Sequence, residues 1–211
     1  MKMHQKLATL LLVLATCNSA SASDSAQYYV KAYSGISYMN DVTSSGVNSA
    51  IDIELDKGMV FGGALGYRYN ANIAAEISWE YRSNDSETRW GSEFYPEGNY
   101  ASNLFYINGF YFFNAYGGLT PYVGAGLGWM QEIDIDLERN GVETSFSNSG
   151  EFSYQGFIGL EYRLSPQWSI HSELRHSGAS SGVLKGENTD IPFADLDYKP
   201  FTWQLGARYS F

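Results

Sequence analysis

The chain has 211 residues, 44% of them hydrophobic and 16% aromatic, and carries a formal net charge of −10. That length fits one domain, and 23 acidic against 13 basic residues excludes nucleic acid as a natural partner. A lone cysteine excludes a disulfide framework.

At the amino terminus, Lys2 and Lys6 precede an apolar run from Leu7 to Ala15, which gives way to Ala20-Ser21-Ala22. This is the pattern of a secretory signal peptide over residues 1–22, cleaved after Ala22 to leave a mature domain over 23–211. The run is shorter than the ~20 residues a membrane helix needs, and no later stretch approaches that length. A second reading takes Leu14-Ala15-Thr16-Cys17 as a lipidation box, although Thr16 is bulkier than the residue usual before a lipidated cysteine. Cleavage after Ala22 removes Cys17 and the two lysines, so the formal charge moves from −10 to −12.

Beyond the signal the sequence alternates apolar and polar side chains in about eight segments, the two-residue period of a strand whose faces meet different media. Tyr28, Val30, Ala32, Ile36 and Tyr38 alternate with Tyr29, Lys31, Tyr33, Gly35 and Ser37. Phe61, Leu65, Tyr67 and Tyr69 then oppose Gly62, Ala64, Gly66 and Arg68, and Ile73, Ala75, Ile77, Trp79 and Tyr81 oppose Ala74, Glu76, Ser78, Glu80 and Arg82. The fourth segment, Asn103 to Phe113, is apolar on both sides. Placing Asn108 inward sends Phe105, Ile107, Tyr111 and Phe113 outward. Val123, Ala125, Leu127 and Trp129 face away from Tyr122, Gly124, Gly126 and Gly128, and Tyr154, Ile158, Leu160 and Tyr162 away from Gln155, Phe157, Gly159, Glu161 and Arg163. Trp168, Ile170 and Leu174 oppose Ser169, His171, Glu173 and Arg175. The last segment alternates from Phe201 to a terminal Phe211.

Connections between the segments alternate in length. Short turns fall at Asn70-Ala71-Asn72, Asn114 to Gly118 and Ser165-Pro166-Gln167, while long polar stretches fall near residues 40–56, 84–101, 132–150 and 177–199. An even number of strands with short turns on one side and long loops on the other predicts an all-β fold: an eight-stranded antiparallel up-and-down transmembrane β-barrel with short periplasmic turns and long acidic extracellular loops. Closure follows from chemistry, because lipid satisfies no backbone N–H or C=O at an open sheet edge. The aromatics then form two girdles at the lipid–water boundaries. Tyr28, Tyr69, Tyr111, Tyr162, Trp168, Tyr209 and Phe211 make the periplasmic one, and Tyr38, Trp79, Tyr81, Trp129, Tyr154 and Trp203 the outer one. A soluble lipocalin-like barrel is the alternative, with its apolar face inside and no role for a terminal aromatic.

Sorting charges by parity puts Lys31, Arg68, Arg82, Arg163, Arg175 and Arg208 in the lumen with Glu76, Glu80, Glu161 and Glu173, and His171 among them. Enclosed charges must pair, so an ion-pair network is expected to fill the barrel. Small residues at Gly62, Gly66, Gly124, Gly126 and Gly128 make room for Tyr29, Tyr33, Phe110 and Phe157, and a through-pore is not expected. The alternative is a narrow gated channel that conducts when the network rearranges. In Ala50 to Asp56 and Glu132 to Glu138, acids alternate with Ile or Leu and continue the parity of the adjoining strand. Strands two and five are therefore expected to run past the membrane and turn Asp52, Glu54, Asp56, Glu132, Asp134 and Asp136 into an acidic vestibule. Such carboxylates suit Ca²⁺ or Mg²⁺ at the lipopolysaccharide surface, though no calcium-loop glycine turn is present. A solvated hairpin whose charges protect an exposed edge is the plainer account.

Pro121 to Gly128, Glu173-Leu174-Arg175 and the Leu205-Gly206-Ala207-Arg208-Tyr209-Ser210-Phe211 ending resemble the outer-membrane β-barrel superfamily typified by the transmembrane domain of outer membrane protein A. The resemblance spans the mature length. It implies a monomeric cell-surface barrel of the Gram-negative outer membrane, embedded in outer-membrane lipid and lipopolysaccharide and contributing to membrane integrity or surface contact. It also implies insertion by periplasmic chaperones and the barrel-assembly machinery, which reads Tyr209 and Phe211. Lipid A deacylases are similar small barrels, and His176-Ser177-Gly178 invites the comparison. Those enzymes need a His and a Ser two residues apart on one outward face. His176 has Leu174 and Gly178 there, and Ser172 lies about 13 Å away along a strand, too far for proton transfer. No catalytic residue, cofactor or metal site is assigned, and the protein is not expected to be an enzyme.

Overall fold

The computed structural model describes residues 27–45, 50–179, 183–186, 192–195 and 198–211, the side chains of 43–45 and 192–195 excepted. The signal peptide, Cys17 and the cleavage site lie outside the described residues. In chain order the elements are β1 (Gln27–Tyr38), β2 (Val42–Ser45), β3 (Ala50–Leu55), β4 (Gly58–Arg68), β5 (Ile73–Trp90), β6 (Glu93–Tyr95), β7 (Glu97–Phe112), β8 (Leu119–Arg139), β9 (Val142–Asn148), β10 (Glu151–Arg163), β11 (Trp168–Ala179), β12 (Val183–Gly186), β13 (Pro192–Asp195) and β14 (Phe201–Ser210).

Antiparallel pairing runs β1–β4–β5–β7–β8–β10–β11–β14 and returns from β14 to β1, where Lys31 faces Arg208 and Tyr33 faces Gly206. Each wall strand has two neighbours, so the ring leaves no backbone edge to lipid. The turns at one end are tight: Asn70 Oδ1 accepts from the amides of Asn72 and Ile73 at 2.8 Å each, and Ser165 Oγ accepts from Trp168 N at 3.0 Å. Gly117 and Gly118 take positive φ between β7 and β8, a backbone region closed to most side chains.

The alternation expected for the eight wall strands is the one found. Ile77, Ile107, Leu127, Ile158 and Leu205 are exposed on the outer surface, and Asn108 is buried within. Girdle rings meet in pairs: Trp168 lies 5.0 Å from Tyr209, Tyr209 5.2 Å from Phe211, and Phe61 5.7 Å from Trp79. Polar atoms at this level find partners, as Trp203 Nε1 donates to Ser172 Oγ at 3.0 Å.

At the other end the stretches between wall strands are themselves mostly strand. β5 continues to Trp90 and β8 spans 21 residues, about twice the ~9–11 a membrane crossing needs. β3 and β6 pair onto β5 and β9 onto β8, while β12 adds to β9 and β13 to β12, and together they raise the wall above the membrane.

Inside, glycines admit large rings. A Cβ on Gly124 would meet the Phe157 ring and the Gly109 carbonyl, and one on Gly62 would stand 2.6 Å from the Tyr33 ring. Gly156 faces outward with no atom within 4 Å of where its Cβ would be. We predict that Gly124→Ala destabilises the folded barrel by about 1–3 kcal/mol through overpacking while Gly156→Ala is near neutral. Urea unfolding in lipid vesicles measures both.

Candidate functional site

The lumen at membrane level is filled by carboxylates shared among cations. Glu80 accepts from Arg82 at 2.6 Å and from Arg175 at 3.3 Å, and Arg175 also donates to Glu173 through Nε at 2.9 Å and a terminal nitrogen at 2.6 Å. Lys31 meets Glu76 at 3.0 Å. Arg208 grips Glu161 at 2.6 and 2.9 Å, and Arg68 joins the same carboxylate at 3.3 Å. β5 and β11 stand on opposite sides of the ring, as do β4 and β10, so the Glu80–Arg175 and Arg68–Glu161 contacts cross its diameter.

Neutral groups complete the network. Tyr29 donates to Glu76 at 3.2 Å, Tyr122 to Glu173 at 3.0 Å, and Gln204 to Glu173 at 2.8 Å. Arg82 donates to Tyr198 Oη at 2.8 Å and to Thr202 Oγ1 at 3.0 Å. Tyr198 precedes β14, and burial holds its phenol above the ordinary tyrosine range, so it stays a neutral acceptor. His171 is buried on the same face, against Gly206, and its Nε2 has no hydrogen-bond partner among the described residues.

Above this ionic layer the interior turns apolar. Ile51, Ile53, Leu104, Met130, Ile133, Ile135, Leu137, Phe146 and Leu184 form one buried cluster, with Trp90 packed on it 5.9 Å from Phe146. The expected acidic vestibule is therefore inverted: Asp52, Glu54, Asp56 and Glu132 are exposed on the outer wall with Asp134 and Asp136 half-buried beside them, and the isoleucines fill the inside. One-residue bulges cause the inversion. Asn103 pairs with Glu132 but Leu104 pairs with Met130, leaving Gln131 extra. Leu55 lies opposite Ser86 while Met59 lies opposite Ser83, so the Asp56–Lys57 step also holds one residue too many. Each bulge sends the next side chain to the other face.

Residues 8–211 match the sequence profile of the outer membrane protein beta-barrel domain. The chain belongs to that family.

Relatives of this outer membrane beta-barrel include outer membrane protein W of Vibrio cholerae, 21% identical over 210 residues that cover 95% of this chain and 97% of that one. The solved structure of OprG from Pseudomonas aeruginosa superimposes with a TM-score of 0.64 at 12% identity, covering 90% of this chain and 98% of its own. Neisserial surface protein A gives 0.56 at 15% identity, covering 91% and 100%. These structures share the fold, and the membership puts the barrel in the bacterial outer membrane.

Ten of the eleven residues expected in the network lie inside the barrel. Arg163 is the exception: it stands exposed at the periplasmic mouth and makes no ion pair among the described residues, because it lies one inward step beyond Glu161 and past the enclosed region. His176 is exposed on the outer surface opposite Gly156 and Phe201. Among the described residues, no group of three or more His, Cys, Asp or Glu is placed to hold a metal ion. Tyr198, Phe146 and Leu184 escaped the sequence reading because loop stretches deliver them. We predict that Glu80→Gln, which leaves two buried guanidiniums short of charge, costs about 3–5 kcal/mol. Glu54→Gln, at an exposed pair with Arg89, should cost less than ~1 kcal/mol in the same unfolding titration.

Proposed function

We propose that this family member is a closed, non-conducting barrel whose working surface is the acidic outer wall above the membrane, used for contact with positively charged surfaces. Like-charge pairing carries the proposal. Glu54 lies opposite Glu87, Glu97 opposite Glu138, and Glu138 opposite Glu143. Directly opposed like charges weaken a sheet. A cavity of about 520 Å³ runs along the last two pairs, lined by Asp56, Asp85, Glu87, Glu97, Asp136 and Glu138 among others. A wall that keeps such pairs at the cost of its own stability is suited to cationic company. Ca²⁺ or Mg²⁺ shared with lipopolysaccharide phosphates is the simplest such company and links the wall to membrane integrity. Tyr209 and Phe211, at the strand that closes the ring, are the residues for the assembly machinery to engage during insertion.

Two measurements test this. Planar bilayers holding the purified protein should show no stepwise conductance. Cells displaying Glu97→Gln/Glu138→Gln/Glu143→Gln should adhere several-fold less to polylysine-coated surfaces than cells displaying the native chain. Discrete current steps, or equal adhesion, would end the proposal.

The apolar interior favours a second reading, in which the upper storey takes up small hydrophobic solutes. It sits over an ionic layer that such a solute cannot enter without desolvating charge. On titration with a short alkane, isoleucine methyl resonances of Ile51, Ile53, Ile133 and Ile135 should shift saturably, whereas lipid-facing Ile107 follows only bulk partitioning. Parallel behaviour of all five would remove this reading.

A further inference from the structure

The periplasmic mouth carries a charge distribution that the rest of the molecule does not. A cavity of about 620 Å³ opens there, between the three short turns and the end of β14. Its lining holds Arg68, Arg163 and Arg208, three of the seven arginines in the chain, and no Asp or Glu. In a chain with a net charge of −10, this concentration of cations is local and specific.

Among the described residues, one carboxylate answers these three guanidiniums. Glu161, just inside the mouth, is engaged on both oxygens by Arg208 and is shared with Arg68. Arg68 and Arg208 are held in place, with side chains 13% and 8% exposed. Arg68 lies 3.9 Å from the centroid of the Phe112 ring and donates to the Ala71 carbonyl, and its Nε has no partner among the described residues. Arg163 lines the opening, exposed and with no ion pair among the described residues. The described mouth thus holds two positive charges beyond what Glu161 neutralises, beside amide and hydroxyl donors from Asn70, Asn72, Asn114, Gln167 and Ser165.

We propose that this mouth is a binding site for a phosphate group. Excess charge of two matches a phosphate dianion, for which the exposed Arg163 guanidinium supplies a bidentate donor while Arg68 and Arg208, fixed on Glu161, hold positive charge behind it. The volume falls within the range of small-molecule sites and exceeds what inorganic phosphate alone would fill. Trp168, in the aromatic girdle, is part of the lining, which sets the cavity at the level of the inner-leaflet headgroups. Two sources supply phosphate oxygens there: the singly charged phosphodiester of a phospholipid headgroup, or the doubly charged monoester of a free phosphorylated compound of the periplasm.

Calorimetry on the full mature protein in non-ionic detergent tests the assignment, with inorganic phosphate and glycerol 3-phosphate as probes at constant ionic strength. Both should bind at millimolar concentration or below, and Arg163→Gln should weaken them about tenfold. Arg163 is exposed and outside the ion-pair network, so its unfolding midpoint should match the native chain and separate lost binding from lost fold. Absence of heat up to about 10 mM phosphate, binding no stronger than that of chloride, or equal affinity in Arg163→Gln would overturn the proposal. Nanodiscs distinguish the sources. Phosphatidylglycerol discs that abolish binding of glycerol 3-phosphate, whether or not phosphatidylcholine discs, which also carry a headgroup phosphate, do the same, identify the headgroup as occupant, and retained binding in both identifies a free compound.

Discussion

Lipid satisfies no backbone amide and water satisfies them all, and the long strands of this barrel pass from one of these solvents to the other. Within the bilayer the ring must close and its outside must be apolar, which leaves the lumen as the place for charge. Above the bilayer the same wall is wetted on its outside, and the ordinary rule of soluble proteins returns: Ile51, Ile53, Ile133 and Ile135 turn inward and the carboxylates turn out. One chain therefore contains two opposite patterns stacked on a shared set of strands. The bulges at Gln131 and Asp56–Lys57 let β8 and the β3–β4 run change pattern without interrupting the sheet.

The ionic layer follows from the first half of that constraint. Charges that lipid rejects from the outer face are enclosed together, and they are tolerable there because each carboxylate meets a cation and further hydrogen bonds. Glu80, Glu173 and Arg175 form the centre of this arrangement with no exposed side-chain surface. Contacts that cross the diameter do more than neutralise charge. They fix the distance between opposite walls, as glycines facing Tyr29, Tyr33 and Phe157 do through volume.

Much of this was legible in the residues alone. Two-residue alternation fixes which side chains share a face, and lipid fixes which face is outside, so the sequence alone brings Lys31, Glu76, Glu80 and Arg175 together. Asn108 alone oriented the fourth wall strand, and it lies buried beside Ser78 at 2.9 Å. What alternation cannot reveal is a skipped beat: carried across a bulge, parity sends Asp52 and Asp134 inward, whereas the sheet turns them out. The composition of Ala-Ile-Asp-Ile-Glu-Leu-Asp nonetheless held the clue, since β-branched residues opposite pure acid demand an apolar interior wherever water is outside. Arg163 fell outside the network because parity gives a direction and no height. The contributions of Tyr198, Phe146 and Leu184 depend on where long connections fold back, which no local pattern encodes.

The bulge at Gln131 has a mechanical consequence. Because the reversal of oily and charged faces is written into the backbone of β8 at one level, next to outward-facing Trp129, the protein carries its own waterline. Sinking deeper would drag Glu132 into hydrocarbon, and rising would strip Leu127 of it, so the barrel cannot bob to suit its surroundings. Where the local bilayer is thicker or thinner than the barrel's girdle-to-girdle span, the lipid rather than the protein must deform.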